Sequence, residues 1–245
     1  MNLANILDRE GHWNELAATQ SLVLCAAEHQ GDQREQAHAH RLLGRADSRR
    51  ALHERAYEHF RAANDLFRRL GDPGNEAFTH LDTAWTLEQE ARYQEAADHA
   101  RQALALHRLA GNDIGQALAL NVVAWYRSLL GEHEQALVDC EQAMELNRKC
   151  GNTSGEAFTW SGMGHAHHHL GRHQEAVLCY HNALDLFGKL NDRYMRAQIL
   201  NYLGDTYHAS HDTPAARDAW HRALSILDQL RHHDADTLRA KMRAA

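Results

Sequence analysis

The stretch GHAHHHLGRH, Gly164 to His173, holds five of the chain's 21 histidines in ten residues. Imidazole titrates near neutrality and is a common nitrogen ligand for Zn²⁺ and Ni²⁺, so the residue types admit a pH-responsive patch or a metal site. Spacings of three and four place His165, His168 and His169 on one face if the stretch is helical. The HExxH spacing of a catalytic zinc helix is missing. What the histidines do therefore depends on the elements that carry them.

Those elements are written in the composition. Alanine, leucine, arginine and glutamate abound, and the only prolines are Pro73 and Pro214, which favours helix over strand in a chain of 245 residues. No run approaches the roughly 18 apolar residues of a membrane span, and MNLANILDREGHW has no signal-peptide core. Cys25, Cys140, Cys150 and Cys179 form no CxxC pair and read as reduced thiols, so the expected location is cytoplasmic. A net charge of -7 argues against a nucleic-acid binder.

The chain repeats every forty residues. GNDIGQALALNVVAWYRSLLGEHEQALVDCEQAMELNRKC (111–150) aligns without a gap on GNTSGEAFTWSGMGHAHHHLGRHQEAVLCYHNALDLFGKL (151–190), and blocks 31–70, 71–110 and 191–230 keep the register. Residues 1–30 supply part of an earlier copy. The seventh position is Ala37, Ala77, Ala117, Ala157 and Ala197. The twenty-sixth is Ala56, Ala96, Ala136, Ala176 and Ala216, and the thirty-third is Ala63, Ala103, Ala143, Ala183 and Ala223. The fourteenth is always small: Gly44, Ala84, Ala124, Gly164, Gly204. Apolar residues recur at three- and four-residue steps through two segments per block, which predicts two amphipathic helices. A turn is expected near the twenty-first position, at Gly11, Gly131 and Gly171, where glycine takes a left-handed cap. Asp72 before Pro73, and Thr153 ahead of Glu156, are expected N-caps. One hairpin cannot bury its own apolar face, so copies must stack.

These columns resemble the tetratricopeptide repeat (TPR) in a forty-residue form. The resemblance implies an all-α fold, a right-handed superhelical solenoid of antiparallel helix pairs over residues 1–230. Residues 231–245, RHHDADTLRAKMRAA, are expected to form a C-terminal capping helix with Asp234 or Asp236 as its N-cap. The phrases LGEHEQALVDCEQAMEL, TWSGMGHAHHHLGRHQEAVLCYHNAL and LGDTYHASHDTPAARDAWHRALSILDQL further resemble the C-terminal repeats of actinobacterial transcription regulators of the AfsR type, in the Streptomyces antibiotic regulatory protein (SARP) family. In that family a DNA-binding activator segment and an NB-ARC (STAND-type) nucleotide switch precede TPRs that act as a sensor. The sequence has no GxxxxGK[ST] phosphate loop, so the resemblance implies the sensor without its ATPase, with Met1 as a boundary of the piece.

By the same resemblance the first helix of each pair lines a concave groove. Its expected partner-binding residues are Arg41, Arg45 and Arg49, then Phe78, Trp85 and Glu88, then Asn121 and Trp125, then Phe158, His165, His168 and His169, and last Asn201, Asp205 and His208. The arginines step by four and form a stripe that either receives acidic groups or is tied to its own acids, such as Asp47 and Glu54. Trp85 and Trp125 share a column and either anchor a partner's apolar side chains or pack on adjacent helices. His173 and His167 fall in scaffold columns. His165, His168 and His169, with His208 alongside, are candidate metal ligands, yet the reading adopted is groove lining, with no metal and no cofactor. The expected function is a non-catalytic protein–protein interaction module, the sensor of an AfsR/SARP-type regulator. Its partner would be a protein or peptide segment, including other domains of the same regulator, with no nucleic acid and no membrane contact. The alternatives are a stand-alone receptor for a peptide or small-molecule signal and, behind it, a metal-dependent enzyme built on the histidines.

Overall fold

The structure, a computed structural model, describes Leu7 and residues 12–244. Its described residues form twelve helices and no strand: α1 Trp13–Gln30, α2 Gln33–Arg49, α3 His53–Arg69, α4 Pro73–Gln89, α5 Tyr93–Leu109, α6 Asp113–Leu129, α7 His133–Lys149, α8 Thr153–His169, α9 His173–Lys189, α10 Arg193–Ala209, α11 Thr213–Leu230 and α12 Asp234–Ala244. The chain divides into two compact units, Met1–Val122 and Val123–Ala245, with the division inside α6. Within each unit consecutive helices pack as antiparallel pairs, and first helices of neighbouring blocks touch: α2 meets α4, and α8 meets α10. The fold is an all-α solenoid of helix pairs. No described helix is long and apolar enough to cross a membrane.

Helix ends set the period. A left-handed residue recurs every twenty positions: Gly31, Ala51, Gly71, Ala91, Gly111, Gly131, Gly151, Gly171, Asn191, His211 and Arg231. The expected turn at Gly11 lies outside the described residues. At Gly71 the backbone closes as a Schellman motif, with Asp72 N–H donating to Phe67 O at 2.9 Å and Gly71 N–H to Arg68 O at 3.1 Å. The Asp72 carboxylate then accepts from Asn75 N–H at 3.1 Å and starts the next helix. Asn112, Asn152, Asp192 and Asp212 repeat both roles, each cap contributing about 1 kcal/mol. Two cap expectations need correction. Asn152, not Thr153, caps α8, because Thr153 is already its first residue. Asp234 and Asp236 both lie in the first turn of α12 rather than ahead of it.

Small residues let the helices close. All fifteen column alanines are buried. The fourteenth position pairs with the thirtieth by size: Gly44 with Phe60, Gly164 with Tyr180 and Gly204 with Trp220, but Ala84 with Ala100 and Ala124 with Cys140. A methyl group on Gly44 would fall 2.5 Å from the Phe60 ring, and one on Gly204 would fall 2.4 Å from Trp220. Each glycine makes the space that its block's large ring fills.

Candidate functional site

The surface that carries the expected binding residues is the first-helix face of each unit. Positions eleven, twelve and fifteen are partly exposed in every block, because the buried alanines turn the opposite side of these helices inward.

In the first unit this face is a charged and aromatic patch. Arg41 Nε donates to Asp82 Oδ2 at 2.6 Å, and Arg45 Nε lies 3.8 Å from Asp82 Oδ1. The arginine stripe is thus tied to an acid, but to Asp82 of the next block. Asp47 instead holds Arg50 at 2.9 Å and Arg55 at 3.3 Å. The Arg49 guanidinium lies over the Trp85 ring, 3.9 Å from its centroid, and also over the Trp13 ring at 5.9 Å. Arg41 reaches over Phe78 at 5.2 Å, while that ring meets buried His107 edge-on at 4.9 Å. Ser48 Oγ and Thr86 Oγ1, buried and 2.7 Å apart, join α2 to α4. Arg45, Ser48, Arg49, Asp82, Trp85 and Thr86 enclose a small cavity of about 90 Å³. Glu88 follows Trp85 by one turn, and Asn121 is half-buried on the part of α6 belonging to this unit.

In the second unit the face is aromatic and imidazole-rich. The Trp125 and His165 rings meet at a tilt of 50°, with centroids 4.8 Å apart. Ser128 Oγ sits 2.8 Å from His165 Nδ1 and 3.0 Å from His133 Nδ1. His165 Nε2 and His169 Nε2 face each other at 3.2 Å, and the His169 ring stacks on His133 at 5.1 Å. Burial, then the neighbouring imidazoles His169, His168 and His133, push the His165 value down to about 3. His168 and His169 are also lowered, first by burial. These rings are therefore neutral at pH 7. Phe158 packs edge-on to Phe187 at 5.2 Å yet stays 43% exposed.

The remaining expected residues go elsewhere. His168 Nδ1 pairs with Thr206 Oγ1 at 3.0 Å. His208 lies against Trp220 at 5.6 Å, away from the other imidazoles. Asp205 accepts from Trp220 Nε1 at 3.0 Å, and Lys241 Nζ of α12 donates to Asp205 and Asn201 at 2.8 Å. Asn201 and Asp205 thus hold the C-terminal helix. Asp82, His133 and Lys241 join the expected residues on these faces without any sequence signal that pairs them. Asp82 acts on the previous block, His133 stacks on His169 of the next, and Lys241 reaches back from the C-terminal helix.

Residues 155–229 match the family model of the tetratricopeptide repeat. No curated protein matches the chain. Solved structures of similar fold include BtubC (BKLC) from P. vanneervenii, at 18% identity over 89% of this chain and 92% of that one, TM-score 0.74. A Rap protein complexed with Competence and Sporulation Factor shares 18% identity over 85% of this chain and 58% of its own, TM-score 0.73. A STAND protein with a tetratricopeptide repeat sensor from Pyrococcus horikoshii shares 15% over 90% of this chain, TM-score 0.67; the chain spans 38% of that protein. At these identities the likeness is one of fold.

Proposed function

We propose that the chain is a non-catalytic interaction module that binds a protein or peptide segment on its first-helix faces, as the sensor part of an AfsR/SARP-type transcription regulator. The observation that supports binding is the way each unit holds a half-exposed tryptophan in place: Trp85 beneath Arg49 and Trp125 against His165. Rings fixed before binding lose little entropy on contact, which is what anchor residues require. The regulator reading draws on the repeat phrases and on the STAND protein whose sensor has this fold. It is tested on the reading frame that precedes Met1. The expected result is an encoded phosphate-loop ATPase whose purified segment binds this chain, with Trp85→Ala and Trp125→Ala each weakening binding about tenfold while the far-UV spectrum stays helical. Unchanged binding by both variants overturns the role given to these faces.

A second reading, a stand-alone receptor for a peptide signal, is supported by the Rap protein solved with Competence and Sporulation Factor. It requires a saturable, ligand-dependent rise in Tm.

A further inference from the structure

We propose that His165 and His169 form a two-imidazole chelate for a divalent transition-metal ion of the Ni²⁺, Cu²⁺ or Zn²⁺ class. The inference goes beyond partner binding and stands without it.

The geometry rests on one turn of α8. Residues four apart share a face, and here the two Nε2 atoms are 3.2 Å from each other. Metal–imidazole bonds of about 2.0–2.1 Å set neighbouring ligand nitrogens ~3.3 Å apart in tetrahedral sites and ~2.9 Å apart at right angles. The pair therefore sits at ligand separation, and a rotation of the exposed His169 ring turns both Nε2 lone pairs toward a shared ion. His169 is exposed, so the ion has access from solvent.

Hydrogen bonding on the far side of the ring is compatible with Nε2 as the ligand atom. Ser128 has one hydroxyl proton and two imidazole Nδ1 neighbours, so it donates to one and accepts from the other. With His165 Nδ1–H donating to Ser128 and Ser128 donating to His133, the lone pair of His165 is on Nε2, facing His169. A partner on the other ring nitrogen that holds tautomer and orientation is the usual support of a ligating histidine. Without an ion, His169 Nε2–H donates to that lone pair. With one, His169 carries its proton on Nδ1 and both Nε2 atoms bind.

Other candidates fail on geometry. His168, turned to Thr206, forms no set of ligand atoms within mutual reach of both His165 and His169, and His208 rests on Trp220. His40 with His59, and His80 with His99, also face at 3.0 and 2.8 Å, but through Nδ1 atoms inside a helix hairpin, where His80 is buried. Among the described residues, the one set of three ligand atoms within mutual reach is His232, His233 and Asp234. Among the described residues no third side chain closes on His165 and His169, so the remaining coordination positions are open to water or to a carboxylate or imidazole brought by another molecule.

The test uses untagged protein titrated with NiCl₂ and CuCl₂ by calorimetry, with Cu²⁺ EPR as a second readout. His169→Ala, an exposed substitution, should remove one equivalent of ion or weaken that equivalent at least tenfold, and should reduce the coupled imidazole nitrogens in its EPR signal from two to one. His168→Ala, and the pair His232→Ala with His233→Ala, should keep that equivalent. The proposal is overturned if His169→Ala binds as many equivalents as the parent with the same affinity, or if the histidine 232/233 variant alone abolishes binding.

Discussion

Gly164 lies so close beneath Tyr180 that a methyl group on its Cα would fall 2.7 Å from the ring's Cε1. The ring is 1% exposed and has nowhere to turn. Gly164→Ala should therefore destabilise the second unit by ~1–3 kcal/mol, net of a helix-propensity gain of up to ~1 kcal/mol. Ala124 with Cys140 shows the alternative pairing, so Tyr180→Cys in the Gly164→Ala background should recover part of the loss. Urea unfolding of the four proteins in this cycle gives a coupling energy, and one near zero would sink the size-pairing argument.

His107 is fully buried beside Phe78, and neither ring nitrogen has a hydrogen-bond partner. Burial lowers its pKa. The same column carries Phe67, Phe187 and Leu227 in other blocks. Replacing an unsatisfied imidazole with hydrocarbon removes the cost of two stripped polar atoms, so His107→Leu should stabilise the first unit by ~1–3 kcal/mol. A lower denaturation midpoint in this variant would refute it.

Ala51 and Ala91 adopt φ values of 57° and 56°, a region that costs a side-chain-bearing residue about 1 kcal/mol. Ala51→Gly and Ala91→Gly should each raise stability by ~0.5–1 kcal/mol. Gly188 is the reverse case. It sits inside α9 with nothing within 4 Å of an added Cβ, so Gly188→Ala should stabilise by up to ~1 kcal/mol. Differential scanning calorimetry should show a raised Tm in all three variants, and a fall in any one of them refutes the argument at that position.

The first unit should lose stability in mild acid. Burial first, then His99 and Arg68, hold His80 at about 4, below its ordinary 6.5. His99 is lowered too, by burial first. An unfolded chain binds protons through the window from about 6.5 to about 4, while these folded rings do not, so stability falls as pH drops through it. One proton contributes ~1.4 kcal/mol per pH unit at most. Leu200 and Ala219 fill the same two positions in the last full block, both buried. His80→Leu with His99→Ala should flatten the fall of Tm between pH 7 and pH 5. An unchanged slope would place the acid sensitivity elsewhere.

Much of this architecture was legible because helix packing repeats the same demand every forty residues. The alanine columns named the buried side of each helix, and the exposed first-helix columns followed from them. The pairing of Gly44, Gly164 and Gly204 with rings was also present in the letters, though it shows only when the fourteenth and thirtieth positions are compared block by block. Left-handed turns at Ala51, Ala91 and His211 were not legible, since nothing in those residue types asks for positive φ. Nor was the fate of the arginine stripe. Asp82 reaches Arg41 from forty-one residues away, and a repeat pattern says where a column points without saying which neighbour answers it. The same limit hid Ser128 between His165 and His133, and Lys241 on Asp205.

The double use of Asp72, Asn112, Asn152 and Asp192 has a mechanical consequence. Each residue stops one helix with its N–H and starts the next with its side chain, so a junction that opens releases both helices together. Pulled from its ends, the chain should yield in repeat-sized events. Each event would free about 40 residues, or on the order of 130 Å of extended backbone, which makes the sequence period a length that a force trace can read.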